Sequence, residues 1–191
     1  MELRKLTMET SLFSFNPRLN NKCVQWRMYT SNDVVCSRFL KEEWIKIADD
    51  IENDQDLCDL LAKYPHLIKG YILYENSKET PIAFVYLLNE CPKKKIISLH
   101  GGGWEKSPRL TMLFMQGAIL LIEHLLKVGF KVRTYCSKDN VNAYRFMQGL
   151  GFCCYRRTKT KLYQVINLKR LHDSHIYKYL KTRESNIESV R

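Results

Sequence analysis

The stretch Asn140-Val141-Asn142-Ala143-Tyr144-Arg145-Phe146-Met147-Gln148-Gly149-Leu150-Gly151-Phe152 decides how this chain is read. Asp139 or Asn140 can cap a short helix running to Gly149, because a short polar side chain takes up N–H groups that a first turn leaves unpaired. A strand follows over 152–157. Upstream, 130–136 reads as another strand. Before it lies the strongest helix of the sequence, about 109–127, with Gly129 suited to the position just past its end. Its polar stripe is confined to Gln116, Glu123 and Lys127, so most of its circumference must pack against a sheet. A long apolar helix between two strands implies a right-handed parallel crossover.

Moving outward, 69–75 and 81–88 are apolar-aromatic runs separated by Asn76-Ser77-Lys78-Glu79-Thr80, which is a hairpin pattern. A fourth strand begins near 96 and leads into Gly101, Gly102 and Gly103. Glycines within a strand mark a bulge or a close approach of backbone. After 152–157 a tight turn near Lys159 leads to a last strand at 161–166. Towards the N-terminus, 23–29 alternates apolar and polar residues as a strand does. Thr30-Ser31-Asn32-Asp33 can cap a helix reaching 49, and a shorter helix fits 54–63 before Tyr64-Pro65. The class is α+β, a single domain with a mixed central sheet of about six or seven strands flanked by helices. The expected organisation is an arm over 1–22, the domain over 23–168 and a basic tail over 169–191, with helical character around 176–180.

Composition bounds the function. The chain has 191 residues, 45% of them hydrophobic and 12% aromatic, which excludes a disordered chain. The net charge of +11 favours an anionic partner, whether nucleotide-like ligand, nucleic acid or acidic headgroup. Seven cysteines without a C-x-x-C pair read as reduced thiols. The N-terminus has no apolar signal core, and the run 110–126 falls short of the ~20 residues a bilayer span needs. These features point to a cytoplasmic protein without membrane association. His172 and His175 have no third ligand nearby in sequence, so no metal is expected. Gly101-Gly102-Gly103-Trp104-Glu105-Lys106-Ser107 is not a phosphate loop, since Glu105 stands where glycine must precede Lys-Ser. His100-Gly101-Gly102-Gly103 is no esterase strip either, because the chain has no G-x-S-x-G.

The element order, together with Asn140-x-x-Ala143-x-x-x-Met147-x-x-x-Gly151-Phe152, resembles the GNAT superfamily of N-acetyltransferases over roughly residues 23–168. The family's own pattern has tyrosine where this chain has Met147. The resemblance implies that the fourth and fifth strands splay apart and that acetyl-CoA, the acyl donor, lies in the gap. Backbone of the fourth strand, at Gly102 and Gly103 with Trp104 beside them, would then hold pantetheine. The pyrophosphate would sit at the N-terminus of the long helix, where unpaired N–H groups and the helix dipole favour anions. The family's Gln/Arg-x-x-Gly-x-Gly/Ala loop falls either on Arg109-Leu110-Thr111-Met112-Leu113-Phe114 or on Lys106-Ser107-Pro108-Arg109-Leu110-Thr111. Either register keeps Arg109 near the phosphates. Asn140 and Ala143 complete the implied cofactor contacts.

Acyl transfer to an amine needs a proton acceptor, a donor for the oxyanion and a proton for the leaving thiolate. Ser98, His100, Gly102 and Trp104 share one face of the fourth strand by alternation, and Ile97 and Leu99 share the other. His100 is the titratable group on that face, and an imidazole pKa of ~6.5 suits a base. With Met147 unable to donate a proton, Tyr144 is the candidate acid and Tyr135 a further possibility. The expected function is N-acetyl transfer to a small-molecule or protein amine by a monomer or homodimer. A GNAT-fold binding module without catalysis is one alternative, and a nucleic-acid-associated basic protein is another. Arg156, Arg157, Lys159 and Lys161 on the last hairpin hint at an acidic acceptor.

Overall fold

The computed structural model describes residues 20–29, 61, 68–76, 78, 81–103 and 107–188. Apart from Leu61, which is helical and buried, the helices expected before 64 lie outside them, as does almost all of the arm 1–22. Seven strands form one sheet: β1 (Val24–Met28), β2 (Ile68–Glu75), β3 (Pro81–Cys91), β4 (Ile96–Gly103), β5 (Lys131–Ser137), β6 (Cys153–Arg157) and β7 (Lys161–Ile166). Their spatial order is β1-β2-β3-β4-β5-β7-β6. Every neighbouring pair is antiparallel except β4 and β5, which are parallel and joined by α1 (Pro108–Lys127). Three further helices follow: α2 (Val141–Gly149), α3 (Leu168–Asp173) and α4 (His175–Glu188).

The helix ends are written into the sequence. Asn140 caps α2, its Oδ1 accepting from the Ala143 N–H at 2.9 Å. At the other end Gly151 adopts φ +98, its N–H donates to the Gln148 carbonyl at 2.9 Å, and the Phe152 N–H donates to Met147 at 3.0 Å. α1 closes the same way. Gly129 sits at φ +90, its N–H reaches Leu126 at 3.1 Å and the Phe130 N–H reaches Leu125 at 3.0 Å. Each Gly-Phe pair therefore satisfies orphan carbonyls and then starts the next strand, with Phe152 turned into the core. A Cβ on Gly151 would also lie 2.4 Å from the Arg170 carbonyl oxygen, so only glycine fits.

α1 lies across the sheet and supplies the centre of the core. Leu113, Leu121, Ile122 and Leu125 are buried with Val85, Leu87, Ile97, Leu99 and Val132. Two contacts hold the helix close to the first strands. A Cβ on Gly117 would stand 2.6 Å from the Leu73 methyls, and the Trp26 indole N–H donates to the Gly117 carbonyl at 2.8 Å. The apolar run expected over 110–126 to fall short of a bilayer span belongs to a longer helix, Pro108–Lys127. α1 has 20 residues and is long and apolar enough to cross a membrane by length and composition. What the structure shows is a helix whose inner face is buried against a sheet.

The tail has the helical character expected around 176–180, and it packs on the rest of the chain. Residues beyond 168 form α3 and α4, and Leu171 and Leu180 enter the same core as α1. A Cβ on Gly149 would lie 2.6 Å from Ile176 Cδ1, so α4 also packs closely on α2. Basic composition concealed this packing, because few large apolar side chains anchor these two helices.

Candidate active site

The ladder between β4 and β5 has only three rungs, Ile96↔Lys131, Ile97↔Val132 and Ser98↔Arg133. Beyond Ser98, among the described residues, β4 continues to Gly103 paired only with β3, and β5 continues to Ser137 paired only with β7. The two strands diverge into a V that opens towards the start of α1. The Lys95 carbonyl accepts from the Lys131 N–H at 2.8 Å, and strand residues alternate the edge to which their N–H and C=O point. Gly101 and Gly103 therefore turn their backbone groups into the V, where β5 offers them no rung. Gly101 is exposed in the middle of a seven-stranded sheet, as an opened gap requires.

The three glycines do not form the anticipated bulge. Gly101, Gly102 and Gly103 pair regularly with Val85, Phe84 and Ala83. Gly101 is needed for close approach instead: a Cβ there would lie 2.4 Å from Val85 Cγ1 and 2.5 Å from the Phe84 carbonyl oxygen. The register shift falls on β3, between Asn89 and Cys91. It frees Glu90 to accept a hydrogen bond from the Ser98 hydroxyl and to pair with Arg133 at 3.6 Å. One carboxylate thus spans three strands at the last rung before the V opens. No glycine marks the bulge, so nothing in the local sequence announces Glu90.

His100 stands just past that rung. It is 7% exposed, stacked on Tyr86 with centroids 5.1 Å apart, and met edge-on by Tyr135 at 4.4 Å. Its Nε2 is buried without a hydrogen-bond partner among the described residues. Burial, helped by the nearby Lys161 ammonium, lowers its pKa from 6.5 to about 4. The expectation of an ordinary imidazole pKa is corrected accordingly: His100 is neutral across the physiological range, ready to accept a hydrogen bond but a weaker base than anticipated.

Tyr144 makes its hydrogen bond within α2. Its hydroxyl accepts from Gln148 Nε2 at 2.8 Å, while Phe146 and Met147 of the same helix face α1. Tyr135, the other tyrosine considered, is the one beside His100. Met147 lines a narrow apolar cleft with Leu99, Gly101, Phe114 and Leu150, and Phe114 stacks on Phe146 at 5.3 Å across it.

At the mouth of the V, α1 begins at Pro108, with Ser107 Oγ accepting from the Leu110 N–H at 3.2 Å. The register Arg109–Phe114 would thus lie wholly inside the helix, whereas the one starting at Lys106 straddles the loop-to-helix junction. Pro108 has no N–H, and Ser107 already engages those of Leu110 and Thr111. Among the described residues the backbone anion cradle is left with the N–H groups of Ser107 and Arg109, so side-chain cations must carry more of any phosphate contact there. Arg109 is exposed on the first turn and paired with Glu75 of β2. Thr111 is exposed and Leu110 packs against the core. Trp104 and Lys106 lie outside the described residues. Asn140 and Ala143 are accounted for by the α2 cap. Among the described residues no group of three His, Cys, Asp or Glu could hold a metal.

The arrangement suits coenzyme A on the structure's own terms. A strand edge with no partner among the described residues matches an extended amide chain, and a helix start with Arg109 lies at the wide end. No family model and no curated protein matches the sequence. Solved structures do. The apo form of FdhC, a nucleotide-linked sugar GNAT, aligns with a TM-score of 0.64 at 16% identity over 90% of this chain and 98% of its own. The aminoglycoside acetyltransferase AAC(6')-Ib, in complex with coenzyme A and kanamycin, aligns at 0.61 and 18% identity over 78% and 97%. The Campylobacter jejuni N-acetyltransferase PseH, with acetyl coenzyme A, aligns at 0.57 and 18% identity over 76% and 99%. The chain has the fold of the GNAT N-acetyltransferases, with its seven-stranded mixed sheet and a parallel β4–β5 pair that splays.

Proposed function

We propose that this protein is an acyl-CoA-dependent N-acyltransferase, with acetyl-CoA as donor and an amine as acceptor. The observation that carries this reading is the V between β4 and β5, with Gly101 and Gly103 turned into it and His100 at its apex. Two structural neighbours, AAC(6')-Ib and PseH, were solved with coenzyme A or acetyl coenzyme A, which supports the same ligand here. The thioester supplies the acyl group. The Gly101 N–H, aimed into the gap, is the donor for the developing oxyanion. His100, neutral at working pH, accepts a proton from the amine directly or through one water, and Tyr135, edge-on to it, is the phenol for the leaving thiolate. Arg109 and the start of α1 receive the phosphates.

The test is thiol release from acetyl-CoA over a panel of amines, alongside thermal shift with acetyl-CoA alone. Stabilisation with thiol release supports an enzyme, and stabilisation without release from any amine reduces the reading to a binding module. No stabilisation at millimolar acetyl-CoA overturns both.

A further inference from the structure

Residues directly opposite one another on neighbouring strands share a face of the sheet. Val132 of β5 and Ile166 of β7 are such partners, and both belong to the core beneath α1. Alternation then places Thr134 and Cys136 of β5, and Leu162 and Gln164 of β7, on that same inner face. Thr134 is the direct partner of Gln164, and the row continues to Cys154 on β6. Thr134 is 2% exposed and Gln164 0%. A polar pair at core positions of two adjacent strands costs stability unless its groups are satisfied.

Gln164 is not satisfied. Its Nε2 donates to the Cys136 thiol sulfur, a weak acceptor, at 3.7 Å. Its Oε1 is buried with no hydrogen-bond partner among the described residues. Turned end for end, the carboxamide would still leave one polar end unpaired. Its position gives that end a use. The last rung of the β4–β5 ladder is Ser98↔Arg133, so Thr134 and Cys136 are the first inward residues on the β5 wall of the V. Continuing the register places Thr134 level with Leu99 and Cys136 level with Gly101. Leu99 and Gly101 line the apolar cleft with Met147 of α2. In touching Cys136, the Gln164 carboxamide reaches this wall from behind.

Resting on the acyltransferase reading, we infer that Gln164 is a coenzyme A-binding residue, whose unpaired carboxamide end meets the pantetheine amide nearest the thiol, directly or through one water, at the β5 wall of the V. With the thioester beside His100, that amide lies at the narrow end of the gap, level with the Thr134–Gln164 row. A group already dry in the free protein gives up no water when the ligand arrives, so the hydrogen bond it gains is worth more than one made by an exposed amide. The same reasoning gives a signature that a purely structural glutamine lacks. Removing the carboxamide relieves the free protein of an unpaired polar group and weakens the complex.

The experiment is calorimetric titration of the full native chain and of Gln164→Met with two ligands, coenzyme A and adenosine 3′,5′-bisphosphate. The second carries the nucleotide end of coenzyme A and no pantetheine. Methionine keeps the length of the side chain and removes its polar end. Urea unfolding of both chains without ligand runs alongside. In the variant the coenzyme A Kd should rise about fivefold or more, the bisphosphate Kd should stay within roughly twofold, and the urea midpoint should hold or rise. Gln164→Leu, read by the same measurements, serves if the methionine variant does not fold. A coenzyme A Kd within about twofold of the native value would overturn the inference. An equal loss for both ligands would overturn it as well, and a lowered urea midpoint in that case marks a side chain that only supports the fold. Failure of the native chain to bind coenzyme A would remove the acyltransferase reading and this inference together, whereas native binding left unchanged by the substitution removes this inference alone.

Discussion

His100 provides a prediction whose magnitude follows from its surroundings. Its side chain is 93% buried between Tyr86 and Tyr135, and its pKa falls from 6.5 to about 4. The native state thus holds the ring neutral where the unfolded chain would protonate it. The stability this contributes is complete above pH 6.5 and is lost as pH falls towards 4, because the unfolded chain binds the extra proton in that window. Between pH 7.5 and pH 5 the loss amounts to ~2 kcal/mol, and over the whole window to ~3 kcal/mol. Other groups titrate over the same range, so the quantity to measure is a difference. Urea unfolding of the native chain and of His100→Gln at half-unit steps of pH isolates the imidazole. The gap between the two stabilities should shift by ~2 kcal/mol against the native chain on going from pH 7.5 to pH 5. A gap that stays constant within ~0.5 kcal/mol would mean that His100 protonates freely in the folded protein, and the buried apex described above would be wrong.

Three substitutions test other parts of the account. Gly101→Ala forces a methyl into Val85 and the Phe84 carbonyl, so it should lower stability by ~1–3 kcal/mol in denaturant unfolding and weaken acetyl-CoA binding measured in parallel. Asn140→Ala removes the α2 cap and should cost ~1 kcal/mol of stability while leaving acetyl-CoA affinity near its native value, which calorimetry would check. Arg109→Ala breaks only an exposed ion pair, so stability should change by less than ~1 kcal/mol, while loss of a charge-assisted phosphate contact should raise the acetyl-CoA Kd about tenfold.

Much of the fold was legible because local rules and global packing agree. Asn140, Gly129 and Gly151 occupy the capping and terminating positions their chemistry favours, and the last strand expected at 161–166 is β7 residue for residue. The motif that suggested the family, Asn140-x-x-Ala143 with Gly151-Phe152, proves to be the two ends of one helix. It speaks for architecture more than for chemistry. What escaped the sequence depended on neighbours distant in the chain. The run Gly101–Gly103 looks like a loop or bulge until β3 is seen to approach closer than a Cβ allows. The bulge that aims Glu90 carries no glycine to announce it. Tyr144 is near Met147 in sequence, but helical spacing alone could not show that Met147 faces α1 while Tyr135, on another element, meets His100. The His100 pKa was misjudged for the same reason, since its burial comes from β3 and β5 rather than from its own strand.

The central claim is that the V between β4 and β5 receives acetyl-CoA. Amide hydrogen exchange with and without saturating acetyl-CoA tests it most directly, because Gly101 and Gly103 have no rung on β5 to protect the backbone groups they turn into the gap. The account predicts marked slowing of exchange at Gly101 and Gly103 on binding, with Ile97 and Ser98, on the rungs of the closed ladder, little changed. Binding without protection of β4, or protection confined to a distant surface, would contradict it.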